Sequence, residues 1–434
     1  MLFQSSTTLA SLLLFIMAML YIGSTAWLQI PGWLSGLCGW LAFLLLLIFR
    51  PGQFKQFLAL AGIGLLLLLW GWWLGSPASI EKILLQNNGL IVMLYCISFL
   101  KLLSAPMQAS DKSLPTGRAS ALKTLLGVHL LGSVINASIL VLVADRFNKA
   151  NAINQLSTTL ASRAFSTAAL WSPFFGAMAV ALTYSPEAEL YSLMAIGIPL
   201  TLIAMLYTLF ELGGNKLQKL RTFTGYPMQA DSLWVPVLLA SSVIIGHQLW
   251  PAVPILVMIS AAAIILTTLF LLVKRSDEKT QKFREHTRNS APLMSRELGL
   301  FLGAGILSVG AQSVFAGFSD FHPFTSISGV LLSALLAGGI IISLLGAHPV
   351  VSISVIGPFL LPLEGDPNMV AVLYLSMWSL GTIASPFSGM NAIIRNQFGV
   401  SGGDLFRWHI RYVLVMWLLV SVIFIVWASP ELFS

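Results

Sequence analysis

Phe165-Ser166-Thr167-Ala168-Ala169-Leu170-Trp171-Ser172-Pro173-Phe174-Phe175-Gly176 returns later in the chain as Trp378-Ser379-Leu380-Gly381-Thr382-Ile383-Ala384-Ser385-Pro386-Phe387-Ser388-Gly389. Ser166, Ser172, Pro173, Phe174 and Gly176 recur as Ser379, Ser385, Pro386, Phe387 and Gly389, at a constant offset of 213 residues. Each copy lies inside a long apolar stretch. A proline within a helix removes a backbone hydrogen bond and frees a carbonyl. Lipid cannot satisfy that carbonyl, so broken backbone survives only inside protein or beside a watery cavity. Each copy also follows a break-prone stretch about forty residues upstream, Gly132 to Asn136 in the first case and Gly346 to Pro349 in the second. The same offset carries the apolar run 86–104 onto 299–317, itself an apolar run. Proline-kinked packing helices would explain either motif singly; the shared offset points to an internal repeat.

The rest of the chain supports a membrane setting. Of 434 residues, 57% are hydrophobic and 9% charged, against about 25% charged in soluble domains. Spans of about twenty apolar residues are expected at 9–30, 32–49, 57–75, 86–104, 153–184, 187–211, 232–248, 252–273, 297–317, 368–397 and 409–428, which makes about eleven. Two more apolar stretches, 120–147 and 324–362, carry polar or glycine-rich breaks in the middle. The net charge of +7 does not form one basic face, as a nucleic-acid binder would require. It falls in short segments, Arg50 to Lys55, Lys101 to Lys123, Lys216 to Arg221 and Lys274 to Arg296, the positive-inside pattern. Placing those segments in the cytoplasm puts the N-terminus inside and the C-terminus outside. Alternation holds throughout only if 120–147 and 324–362 each enter and leave on one side, as re-entrant hairpins; the rival reading is ordinary helices. The run 9–30 reads as a retained first helix. Cys38 and Cys96 lie in apolar runs and imply no disulfide framework. The thirteen Trp read as interfacial belts, with Trp70, Trp72 and Trp73 one cluster.

The organisation expected is an extra N-terminal helix (1–31), a first inverted repeat (32–211), a cytoplasmic linker (212–231), a second inverted repeat (232–428) and a tail (429–434). Each repeat holds three helices, a hairpin, a broken helix and a final helix, and the two start on opposite sides. This architecture, with hairpins followed by Ser/Pro/Gly-broken helices, resembles the ion transporter superfamily: divalent anion/sodium symporters, citrate-transporter-like proteins and arsenite permeases. The resemblance covers about residues 32 to 428. It implies an all-α integral membrane fold and an elevator-type transport mechanism. The symporters carry a Ser-Asn-Thr triplet at each hairpin tip. Here the tips read Gly132-Ser133-Val134-Ile135-Asn136-Ala137-Ser138 and Gly346-Ala347-His348-Pro349-Val350-Val351-Ser352.

Candidate substrate-binding residues follow from tips and breaks: Ser133, Asn136, Ser166, Ser172, His348, Ser352, Ser379, Thr382, Ser385 and Asn391. Asn136 and Asn391 offer an acceptor and two donors each; an interhelical hydrogen bond is the plainer role. His348 is ionisable near neutrality, and a neutral hydrogen-bonded imidazole is its plainer role. The serines and threonine serve equally as packing or back-bonding residues. Arg163 reads as an interface anchor that snorkels, with binding of an anionic solute as the alternative. Carboxylates are nearly absent from the spans, which fits an anion path better than an acidic cation cage.

The function expected is secondary active transport of a small anionic solute, in a bacterial inner membrane, coupled to a proton or sodium gradient. No cofactor and no catalytic residue are expected, and a metal site stays undefined. The lipid bilayer is a partner, nucleic acid is not, and a homodimer stays open. The alternatives are a membrane-embedded enzyme or a lipid-linked flippase or exporter. Against the enzyme, no His-Glu-x-x-His and no Gly-x-Gly-Asp occur, and no Gly-x-x-x-x-Gly-Lys-Ser/Thr supports an ATP-driven pump.

Overall fold

The computed structural model describes residues 2–26, 29–49, 54–103, 114–226, 234–273, 277–318 and 323–428. The tail 429–434, most of the basic segment 50–55 and residues 274–276 of the basic loop lie outside the described residues. The elements are α1 (Leu2–Ala26), α2 (Trp33–Phe49), α3 (Lys55–Trp73), α4 (Ile80–Leu85), α5 (Asn88–Ser98), α6 (Arg118–Ile135), α7 (Ser138–Lys149), α8 (Gln155–Ser166), α9 (Gly176–Tyr184) and α10 (Leu190–Gly213). They continue with α11 (Trp234–Leu249), α12 (Ile255–Val273), α13 (Asp277–Asn289), α14 (Ser295–Gly317), α15 (Gly329–Leu344), α16 (Pro349–Leu360), α17 (Pro367–Ala384), α18 (Gly389–Phe398) and α19 (Gly402–Ala428). Among the described residues β-pairing is limited to two isolated bridges, Thr116 with Thr224 and Ser326 with Glu364.

The protein is an integral membrane protein by the length and apolarity of its helices. Among the described residues, eight helical segments are long and apolar enough to cross a bilayer: 6–25, 55–73, 80–102, 190–213, 255–273, 291–317, 367–398 and 402–428. Their outer residues are apolar and exposed, as with Leu65, Leu66 and Leu69 on α3 and Leu202 and Leu206 on α10. Lipid accepts such surface, whereas water would not. The expected spans 32–49 and 232–248 form helices of 17 and 16 residues, α2 and α11. The expected span 153–184 is divided between α8 and α9. The expected span 86–104 forms α5 and a 3-10 turn over Phe99–Leu102, and its helical segment reaches back to Ile80 through a kink where Asn87 turns left-handed at φ +62° between α4 and α5. The Asn87 amide caps that kink by donating to the Phe301 carbonyl at 2.9 Å.

Two compact units form, each drawing on both halves of the sequence: 1–107, 237–323 and 354–362 in one, and 108–236, 324–353 and 363–434 in the other. In the first, α3 and α14 pack through glycines. A Cβ on Gly64 would stand 2.7 Å from the Leu307 nitrogen, and one on Gly310 would stand 2.6 Å from the Gly64 carbonyl oxygen. Without a hydrophobic drive between helices in lipid, backbone approach of this kind supplies the contact area. α1 and α2 are tied by Ser35, whose hydroxyl donates to the Met17 carbonyl at 2.9 Å. The second unit holds the first tip-bearing stretch and the second one as far as Ile353, which includes its tip. The first, 120–147, becomes α6 and α7; the second, 324–362, becomes α15 and α16. α7 and α16 have 12 residues each, about 18 Å of helix at 1.5 Å per residue. That falls short of the roughly 30 Å hydrocarbon core. The two ends of the second stretch are joined, with Ile327 N–H donating to the Glu364 carbonyl at 2.7 Å and Glu364 N–H to the Thr325 carbonyl at 3.2 Å. Its chain therefore returns to where it started, as a hairpin does.

Candidate functional site

All ten candidate residues fall in the second unit. The first helix break is built by sequence. α8 tightens into a 3-10 turn over Thr167–Leu170, then Trp171 to Phe175 run without α-helix until Gly176 opens α9. Ser172 holds the break twice. Its hydroxyl donates to the Ser133 carbonyl at 2.7 Å and accepts the Phe174 N–H at 3.2 Å. Pro173 cannot donate, so a neighbouring side chain must organise the turn. The Ser133 hydroxyl bonds back to the Leu130 carbonyl at 2.8 Å.

The first tip is strained. Asn136 ends α6 at φ +54° and ψ −150°, a region that only glycine occupies comfortably. No described residue hydrogen-bonds its half-buried side chain. The second tip has a glycine for its turn, Gly346 at φ +104°. His348 then caps α16, its Nδ1 accepting the Val350 N–H at 3.2 Å. Nδ1 is thereby an acceptor, so the ring is neutral with its proton on Nε2. The ring meets Trp378 edge-on, centroids 4.8 Å apart.

α17 connects the parts. Ser379 donates to the Ser166 carbonyl at 2.9 Å, joining two residues that hold matching places in the repeated motif. Gly381 faces the second tip, where a Cβ would meet the Ser343 hydroxyl at 2.6 Å and Pro349 at 3.1 Å. At the second break, Ser385 accepts the Phe387 N–H at 3.3 Å and Ser388 caps α18 by accepting the Asn391 N–H at 3.1 Å. The Asn391 amide nitrogen lies at 3.4, 3.2 and 2.9 Å from the carbonyl oxygens of Thr382, Ile383 and Ser385. It closes the carbonyls that the end of α17 leaves open. Contacts thus run from Ser133 through Ser172, and from Ser166 through Ser379 on α17 to His348 and Asn391.

Three polar atoms in this cluster are buried without a partner among the described residues: Asn391 Oδ1, Thr382 Oγ1 and Ser352 Oγ. A buried polar atom left unpaired costs about 1–3 kcal/mol. Together they offer one pure acceptor and two hydroxyls that donate or accept. No cluster of His, Cys, Asp or Glu suited to a metal occurs among the described residues.

Two features escaped the sequence reading. His129, inside the first hairpin stretch, is held by Trp171, whose Nε1–H donates to its Nε2 at 2.9 Å; its Nδ1 lies 3.0 Å from the Ala164 carbonyl. A single histidine in mid-helix carries no spacing signal in the sequence. Arg163 is also corrected. It is 1% exposed and does not snorkel. It pairs with Glu211, donates to the Trp408 carbonyl at 2.8 Å and to His409 Nδ1 at 3.4 Å, and covers the Tyr412 ring at 4.5 Å. The ion pair was legible as opposite charges in two consecutive spans. Trp378, 7% exposed, belongs to the cluster and not to an interfacial belt, whereas Trp70, Trp72 and Trp73 are exposed.

The backbone is similar to that of a solved transporter. It resembles the YdaH transporter of Alcanivorax borkumensis at 14% sequence identity and a TM-score of 0.49, over 98% of this chain and 99% of that one. No protein-family model matches the chain, and no curated protein matches it in sequence.

Proposed function

We propose that the protein is a secondary active transporter of a small anionic solute. The observation that carries this reading is the set of four short helices that begin at the tips and breaks: α7 at Ser138, α9 at Gly176, α16 at Pro349 and α18 at Gly389. Each helix start presents the positive end of its dipole, with first-turn N–H groups of α16 and α18 already drawn to His348 and Ser388. Such ends, placed beside broken backbone within a membrane, suit an anion. α9, α16 and α18 carry no carboxylate to oppose it. Neutral His348, with a free Nε2–H, and the unpaired Thr382 and Ser352 hydroxyls add donors. Asn391 Oδ1 accepts, and suits a coupling cation or a protonated group. In this proposal the two sequence halves are inverted repeats and about eleven helices span the membrane. The second unit carries the solute in an elevator-type movement, driven by a proton or sodium gradient.

The test is uptake by proteoliposomes of the purified chain. Small carboxylates and oxyanions are offered with imposed sodium or pH gradients. Accumulation of at least one anion above equilibrium, abolished when the gradient is collapsed, is expected. Equilibration without accumulation under every gradient would sink active transport. Anion-independent thermal stability across the same panel would remove the anion assignment, because a ligand of the folded state raises apparent stability.

A further inference from the structure

A cavity bearing charged side chains lies in the same unit, lined by residues other than the ten above. It measures about 320 Å³, and Tyr207, Phe210, Glu211, Asn215, Lys216 and Arg411 line it. Glu211 is already committed to Arg163. Lys216 and Arg411 therefore leave the cavity with a net positive charge. Both are exposed, and no described carboxylate pairs with either. The Tyr207 hydroxyl is shielded from solvent and lies beside the Arg411 guanidinium, which donates towards its oxygen. Its ring sits 6.2 Å from that of Tyr412, which Arg163 covers.

The wall holding Lys216 is built under strain. Lys216 and Leu217 are consecutive non-glycine residues at φ +49° and +56°. The Arg118 guanidinium fixes that turn by donating to the carbonyls of both, at 3.1 Å to Leu217. Left-handed backbone at two bulky residues costs free energy, and such strain concentrates where a ligand is held. On the outer side, Leu206 and Phe210, one turn apart on α10, are 66% and 74% exposed. The cavity thus places two cations and a shielded hydroxyl, whose proton is free to donate, beside an apolar, lipid-facing surface.

We infer that this cavity binds a phosphate-type anion, with the headgroup of an anionic phospholipid as its source. The Arg411 fork is suited to two phosphate oxygens. Lys216 supplies a point charge, Tyr207 a hydroxyl donor, and the acyl chains run along Leu206 and Phe210. Basic cavities at helix ends recognise lipid headgroups in this way. Two further cations touch the lining residues and are already engaged: Arg163 with Glu211, and Arg118 with the carbonyls of Lys216 and Leu217.

The experiment uses the full chain in nanodiscs of phosphatidylcholine, with and without phosphatidylglycerol. Phosphatidylglycerol is expected to raise the unfolding midpoint by about 5 °C. Lys216→Gln/Arg411→Gln should lose that rise. Lys282→Gln/Arg284→Gln, which removes the same charge from α13, should keep it. A rise that persists undiminished in Lys216→Gln/Arg411→Gln, or that is absent from the native chain, overturns the proposal. Inorganic phosphate is added to the detergent-solubilised chain as a separate arm. An equal rise there keeps the anion site and overturns the lipid source. If the double variant does not fold, native mass spectrometry of Arg411→Gln alone decides. Retention of phosphatidylglycerol equal to the native chain counts against the site, and loss counts for it.

Discussion

Asn136→Gly separates a structural tip from a functional one. Asn136 holds φ +54° and ψ −150°, which costs a non-glycine residue about 1–3 kcal/mol. Glycine accepts this geometry without a Cβ clash. It also enlarges the unfolded ensemble, which takes back about 0.4–1 kcal/mol. The lost amide makes no hydrogen bond within the described protein, so no further penalty is expected there. The net expectation is a gain of about 1 kcal/mol, seen as a midpoint roughly 2–4 °C higher in a thermal melt. Transport should move the other way. A hydrogen bond to a charged group contributes about 1.5–3 kcal/mol, so the apparent affinity for the solute should weaken about 10-fold or more. A variant that is less stable than the native chain would refute the strain argument. One that is more stable and transports with unchanged affinity would show that the Asn136 amide touches no solute.

Glu211→Ala leaves Arg163 charged and 1% exposed, and should cost about 3–5 kcal/mol; Arg163→Met/Glu211→Leu should be nearer the native chain, and a double variant worse than the single would contradict the reading. Asn391→Leu strips the amide from the carbonyls of Thr382, Ile383 and Ser385, and should lower stability by about 1–3 kcal/mol. Asn391→Asp should be worse still at neutral pH, because a carboxylate would face three carbonyl oxygens; equal melts for the two would mean that the amide is turned the other way. His286 on α13 lies 2.8 Å from the Ser98 hydroxyl, and burial, reinforced by Lys101, pushes its pKa down to about 4. The unfolded chain then takes the proton first, so this group's stabilising effect is complete above about pH 6.5 and is lost as the pH falls towards 4. The loss is at most about 3 kcal/mol, reduced by the ring's partial exposure. His286→Gln should flatten the pH dependence of the melt across that window, and an unchanged slope would assign it to other groups.

Much of the fold was legible because membrane burial leaves a coarse, local signature. Apolar runs near twenty residues must be helices in lipid, and α3, α10, α12, α14 and α19 lie where composition alone puts them. The two Ser-Pro-Phe breaks were legible for a similar reason: proline and serine interrupt a helix by local chemistry, and the structure interrupts α8 and α17 there. Short-range geometry was less visible. The kink at Asn87 depends on the Phe301 carbonyl 214 residues away. The strain at Asn136 and at Lys216 is a matter of φ, which residue type does not reveal.

By itself the sequence determined the solvent, the helical class, the two broken stretches and the polar residues placed at them. Those properties are set by composition and by neighbours along the chain. Only the tertiary structure decided which polar group answers which. Arg163 looked like an interfacial anchor until Glu211, Trp408 and Tyr412 closed around it, and Asn391 looked like a free ligand until its nitrogen met three carbonyls. In a medium that offers no hydrogen bonds, a polar side chain takes its role from the partner that satisfies it. That partner is brought to it by packing, from residues the linear sequence keeps far apart.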